Sequence, residues 1–228
     1  MNIAGVQKVT LLDYPGKVAC EIFTQGCNFE CPFCQNSSLI PITNTGEFSE
    51  EEIFEYLNLR KNILDGVVIT GGEPTVQKDL KGFIKKIKDL GLLVKLDTNG
   101  GNPKVLQELI DEDLVDYVAM DIKNIFNKYN ITAGKKINLD NIKKSIEILK
   151  ASKIDYEFRT TIIKEMHSLD DIISICKLVG DAKYYLQNFE DSENVIDHSL
   201  HGFSREELLF IDKYLKDLFP NVEIRALS

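Results

Sequence analysis

Two rhythms alternate along the chain. Residues 18–25 are a β-branched and aromatic run of strand length, followed by a long loop as far as Phe48. Ser49 then opens a helix, and Glu52 three residues later completes a capping box. Ile53, Phe54 and Leu57 recur there at helical spacing. Residues 66–70 form a short apolar strand that runs into Gly71-Gly72. Residues 76–90 carry Leu80, Phe83, Ile84, Ile87 and Leu90 on one helical face, which Gly91 ends. The cycle then repeats. Strand 92–98 leads to a helix with Asn102 as N-cap and Pro103 in its first position. Strand 115–123 precedes helix 139–151, strand 155–163 precedes a helix capped by Ser168 and Asp171, and strand 183–189 precedes a helix capped by Ser204 and Glu207. Residues 222–227 are extended, and either add a strand or cover an open edge.

Strand–helix units in this number imply an α/β fold with a parallel sheet and right-handed crossovers. Two architectures satisfy that: a doubly wound sheet and a partial (β/α)6 barrel. A sheet covered on both faces has strands that are apolar throughout. Here Asp121 and Lys123 share one side of their strand against Val118, Met120 and Ile122 on the other. Glu157, Arg159 and Thr161 likewise alternate with Tyr156, Phe158 and Ile162. A polar inner face and an apolar outer face favour the partial barrel, open enough to hold a polar ligand. The longest irregular stretches, 35–48 and 190–203, both follow strands and so belong to the mouth at the strands' C-terminal ends. No domain boundary stands out, and residues 1–228 are expected to form one domain.

Composition narrows the classes. Apolar residues make up 43% and charged residues 28%, which is globular rather than disordered. The net charge of −9 argues against a general nucleic-acid binder. No secretory signal pattern opens the chain and no run approaches the roughly 18 apolar residues of a membrane span, so a cytoplasmic location is expected. Disulfides are not expected in a reducing cytosol, and the five cysteines need another explanation.

Three of them stand close together in Cys27-Asn-Phe-Glu-Cys31-Pro-Phe-Cys34, directly after the first strand. A zinc ribbon has two separated pairs and a four-cysteine iron–sulfur site has a fourth ligand at matching spacing. Neither is present. Cys176 falls on a helical apolar face with Ile172, Ile173, Ile175 and Val179, and Cys20 lies within the first strand, so both are expected to be packing residues. Three thiolates can hold a four-iron cluster with one iron open; the alternative is zinc with His or Asp as fourth ligand.

The Cys-x3-Cys-x2-Cys spacing resembles that of radical S-adenosylmethionine (SAM) enzymes. Gly71-Gly72-Glu73-Pro74 is similar to the glycine-rich segment with which that family meets the SAM amino group. Gly5-Val-Gln-Lys-Val-Thr-Leu-Leu-Asp-Tyr-Pro-Gly-Lys17 and Phe23-Thr-Gln-Gly-Cys-Asn28 resemble the activating proteins of anaerobic ribonucleoside-triphosphate reductase. The chain departs from these at Glu30, where a basic residue is frequent, and at Gln35, where His is.

The resemblance implies one [4Fe–4S] cluster on Cys27, Cys31 and Cys34, SAM as co-substrate, and a 5′-deoxyadenosyl radical that takes a hydrogen from a glycine of a glycyl radical enzyme. A flavodoxin- or ferredoxin-like protein would supply the electron. It implies SAM contacts at Phe33 by the adenine, at Gly71, Gly72 and Glu73, and at Thr98 or Asn99. Lys123 would meet the SAM carboxylate, and Arg159 and Gln187 would project inward beside it. Asp97 and Asp121 would need a cation: Lys123, SAM itself or a bound monovalent cation. His167, His198 and His201 are expected to be exposed loop residues, and Lys81, Lys85, Lys86 and Lys88 a solvated helix face. Another single-cluster radical SAM reaction on a small molecule or peptide, or a non-enzymatic iron–sulfur carrier, are the alternatives.

Overall fold

A computed structural model describes residues 1–42 and 46–225. Eight strands form one sheet in sequence order: β1 (Ile3–Thr10), β2 (Ala19–Thr24), β3 (Gly66–Gly71), β4 (Leu93–Thr98), β5 (Tyr117–Asp121), β6 (Asp155–Ile162), β7 (Tyr184–Asn188) and β8 (Val222–Ile224). From β2 to β8 every pairing is parallel. Helices α1 (Glu50–Arg60), α2 (Leu80–Asp89), α3 (Pro103–Asp111), α4 (Tyr129–Thr132), α5 (Leu139–Ala151), α6 (Leu169–Val179) and α7 (Arg205–Lys216) fill the crossovers. The sheet does not close, since β1 and β8 are its edges. This is the expected α/β partial (β/α)6 barrel, with β8 as a seventh parallel strand. The rest of the extended segment predicted over 222–227 lies partly outside the described residues.

Capping boxes begin α1 at Ser49/Glu52, α6 at Ser168/Asp171 and α7 at Ser204/Glu207, as the sequence predicts. Three features differ. β1 is an unforeseen antiparallel edge strand, with only Ile3 and Thr10 fully buried. α2 starts at Leu80, because Pro74–Val76 forms a separate 3-10 turn. β5 stops at Asp121, so Lys123 stands in the loop beyond it.

The two faces of the sheet separate cleanly. Cys20, Ile22, Val67, Ile69, Val94, Leu96, Val118, Met120 and Phe158 point outward and pack against Ile53, Leu57, Phe83, Ile84, Ile87, Ile146 and Leu149 of the helices. On the inner face, Tyr14, Ala19, Val68 and Tyr117 form a small apolar layer that plugs the N-terminal end of the barrel. Polar side chains fill the space from there to the mouth. Lysines on α2 are paired across the surface: Lys81 and Lys85 with Glu112, Lys86 with Glu50 and Lys88 with Asp116. Among the described residues no helix is long and apolar enough to cross a membrane.

Candidate functional site

A cavity of about 300 Å³ opens at the C-terminal mouth. Its walls bring together Cys27, Cys31, Phe33, Cys34, Gly71, Gly72, Glu73, Thr98, Asn99, Asp121, Lys123, Arg159 and Gln187, which is the whole set of expected site residues. Phe29, Asp97 and Thr161 also line it. The three cysteines are free thiols on the loop after β2. Among the described residues no group of three or more His, Cys, Asp or Glu side chains converges on a single-ion point. Three cysteine thiols on the wall of one cavity are a donor set of the kind that iron–sulfur clusters use. Cys27 Sγ accepts a hydrogen bond from the Phe29 amide at 3.4 Å. The Asn99 side-chain Nδ2, 3.9 Å away, also faces that sulfur, while it donates to Asn28 Oδ1 at 2.8 Å. Cys20 and Cys176 lie in the outer core instead, fully buried.

Gly71 and Gly72 are required by the backbone itself. Gly71 has φ +113°, and a Cβ there would lie 2.3 Å from the Thr24 nitrogen; one on Gly72 would lie 2.2 Å from the Gly26 carbonyl oxygen. The expectation that these glycines clear space for a ligand is therefore incomplete. Their first task is to let the ends of β2 and β3 touch.

Glu73 is 1% exposed. Its Oε1 accepts from the Thr75 amide at 3.1 Å, from Thr75 Oγ1 and from Thr98 Oγ1 at 2.7 Å, and its Oε2 accepts from the Asn99 amide at 2.7 Å. Burial raises the pKa of this carboxyl, against the pull of those donors. Glu73 thus ties the loop after β3 to the loop after β4. Asn102, expected as a side-chain cap for α3, spends its amide on Thr75 instead, at 3.0 Å and 3.1 Å. A Glu73→Gln variant keeps the volume but must turn its NH2 toward a donor. We expect a loss of about 1–3 kcal/mol, the cost of an unsatisfied buried donor, measured by urea unfolding at pH 7.

Below the cavity runs a chain of alternating charges. Lys95 pairs with Asp97, Arg159 reaches Asp97 at 3.0 Å and Asp121 at 2.9 Å, and Lys123 closes on Asp121 at 3.0 Å. Ala119, small and on the inner face between them, lets the Arg159 side chain pass over β5 to β4. Burial opposes ionisation of both aspartates, but the Arg159 guanidinium and the lysines hold them below the usual carboxylate range. Lys123 is held above the usual lysine range: burial pulls it down, and Asp121 overrides that. The two aspartates, for which Lys123, SAM or a bound monovalent cation were the alternative counter-charges, are paired in the structure with Lys95, Arg159 and Lys123. Sequence reasoning missed Lys95, although Lys95 and Asp97 alternate with Val94 and Leu96 as plainly as Asp121 and Lys123 do with their neighbours. Glu21 faces the same interior, where burial and the charges of Asp13 and Asp97 push it up to about 7.

His167 corrects another expectation. It is 1% exposed rather than a solvated loop residue. Its Nδ1 accepts from the Ile163 amide at 3.2 Å, so its Nε2 donates to the Lys123 carbonyl at 2.9 Å. Burial lowers its pKa and keeps it neutral. It fixes the backbone from which Lys123 projects. His198 and His201 are exposed, paired with Asp191 and Glu165. Glu30 pairs with Lys135 at 2.6 Å, and Gln35 donates to the Glu190 carbonyl at 2.9 Å.

The chain resembles known proteins over most of its length. The model of the radical SAM superfamily matches residues 22–179. The chain is 35% identical to a Methanocaldococcus jannaschii protein that carries the provisional name of glycyl-radical enzyme activating enzyme, over 99% of this chain and 96% of that one. It is 26% identical to a GTP 3′,8-cyclase of Campylobacter jejuni, over 90% of this chain and 66% of that one. Among solved structures, a radical SAM methyltransferase from Sphaerobacter thermophilus superposes with a TM-score of 0.73, at 14% identity, over 95% of this chain and 68% of that one.

Proposed function

The chain belongs to the radical SAM superfamily, and from that premise we propose that it generates a glycyl radical on a partner enzyme, of the anaerobic ribonucleoside-triphosphate reductase type. We read residues 1–228 as one such domain, at work in the cytoplasm with a flavodoxin- or ferredoxin-like donor. The observation that carries the reading is that three cysteines rim one cavity at the mouth while the other two lie in the outer core. That provides for a single cluster, and the family implies one [4Fe–4S] cluster with SAM. When bound, they supply a one-electron cleavage that yields methionine and a 5′-deoxyadenosyl radical.

The chain's own residues supply placement and exclusion of water. Cys27, Cys31 and Cys34 would hold the cluster. Asn99 steadies the Cys27 sulfur from the loop after β4. Phe33, 5% exposed, forms the wall beside the adenine. Gly71, Gly72 and Thr98 present their polar groups along a rim that Glu73 locks. Lys123 and Arg159 offer positive charge to the SAM carboxylate, with Asp121 between them. The Gln187 side chain makes no hydrogen bond among the described residues, which leaves its carboxamide for a ligand.

The test is electron paramagnetic resonance on an anaerobic mixture of this protein, reductant, SAM and the reductase. A doublet from the glycine Cα hydrogen should appear and collapse to a singlet when the reductase carries α-deuterated glycine. SAM cleavage without a radical on the reductase would overturn the partner and move the substrate to a small molecule, the class suggested by the likeness to a GTP cyclase. No SAM cleavage at all would overturn the radical reading.

A further inference from the structure

Tyr129 is fully buried, and its hydroxyl is the single buried side-chain polar atom among the described residues that has no hydrogen-bond partner. A buried O–H without an acceptor is costly, and such groups point to something that arrives later. The groups that act on this hydroxyl are Lys123, Cys31 and Asp121. The Lys123 amide and ammonium are donors only, and its carbonyl oxygen already accepts from His167 Nε2. Asp121 has given one oxygen to Arg159 and the other to Lys123. Of the three, the Cys31 sulfur is left as acceptor for the phenolic proton.

The backbone holds Tyr129 against the cysteine loop. The Glu30 amide donates to the Ala133 carbonyl at 2.9 Å. Gly134, at φ +73°, lies so close that a Cβ there would fall 1.8 Å from the Glu30 carbonyl oxygen. Lys135 pairs with the Glu30 side chain. Behind this, Asn124 donates to Thr132 Oγ1 and to the Met166 carbonyl, each at 3.0 Å, and Phe126 stacks on the Tyr129 ring at 6.3 Å. The segment from Asn124 to Lys135 is therefore a brace clamped to the backbone next to Cys31, with one polar atom left over.

We propose that the Tyr129 hydroxyl donates a hydrogen bond to the sulfur of Cys31 once that sulfur is a cluster ligand, and so raises the reduction potential of the cluster. This rests on the cluster assignment made above and adds a positioning residue to it. A donor to a ligand sulfur withdraws electron density from it and favours the reduced, more negative state. A neutral thiol is a weak acceptor and a metal-bound thiolate a better one, which accounts for an O–H without a partner in the protein alone.

The experiment is a reductive titration of the reconstituted protein, followed by the electron paramagnetic resonance signal of the reduced cluster. Tyr129→Phe keeps the ring and removes the donor, so the midpoint potential should fall. Site-specific 3-fluorotyrosine at position 129, a stronger donor of nearly the same shape, should raise it. A merely structural role would leave both potentials at the wild-type value, and that result, with the cluster present, would overturn the proposal. If Tyr129→Phe cannot retain its cluster, the fluorotyrosine protein decides alone. If the wild-type protein takes up no cluster at all, the failure is that of the cluster assignment and not of this hydrogen bond.

Discussion

Changing Cys27, Cys31 or Cys34 to Ala, one at a time, should reduce reductive cleavage of SAM to background and leave iron bound below the level of the wild-type protein. The effect is expected to be all-or-none because, on the proposed reading, each sulfur is a direct ligand and the other two cysteines lie away from the cavity. Cys20 lies on the outer face of β2 and Cys176 on the inward side of α6, both packed in the apolar layer between sheet and helices. Neither can reach the mouth. Cys20→Ala and Cys176→Ala should therefore keep the wild-type iron and sulfide content, with a modest loss of stability from the small cavities left behind. Iron and sulfide analysis after anaerobic reconstitution, with methionine release as the readout of cleavage, checks both halves. Full cleavage in any of the first three variants, or loss of the cluster in Cys176→Ala, would refute the division into ligands and packing residues.

The placement of three cysteines at the mouth and two in the core was legible in the sequence because it depends on local spacing and on helical period. The same holds for the capped helices, where a serine and an acidic residue three positions on satisfy the first-turn amides without help from the rest of the fold. β1 was not legible. Its residues alternate weakly and most stay partly or fully exposed, since an edge strand with one neighbour has little to bury. α4 escaped for a related reason: four residues carry no period, and tertiary contacts with the Glu30 backbone hold it in place. Tyr129 went unnoticed with it. Polar residues proved hardest to place. Lys95 follows an alternation visible in the sequence, yet a lysine inside a strand is more readily taken for a solvated one, and its burial beside Asp97 depends on an interior that only the assembled sheet creates. His167 was misjudged because nothing in its neighbours announces that both ring nitrogens will meet backbone groups from two different loops.

The buried charges carry the other large expected effect. Arg159→Met should cost about 3 kcal/mol at neutral pH, the lower end of the range for breaking a buried ion pair. The lower end applies because Asp97 keeps Lys95 and Asp121 keeps Lys123. What is lost is the cation that separates two carboxylates inside a low-dielectric space. The pH dependence has a definite sign. Both aspartates are held below their ordinary values in the folded protein. A carboxylate of that kind contributes stability that is fully present above its unfolded value, about 3.9, and is lost as the pH falls toward its folded value. Without Arg159 both carboxyls titrate higher, so the gap between wild type and variant should be full at pH 7 and narrow below about pH 4. Adding Asp121→Asn to Arg159→Met should recover part of the stability, because it removes one of the two facing charges at constant volume, whereas Asp121→Asn alone in the wild-type background should destabilise. Urea unfolding of the four proteins across that pH range gives the coupling directly as a double-mutant cycle. Additive effects of the two substitutions, or a gap that does not change with pH, would show that Arg159 contributes packing rather than charge.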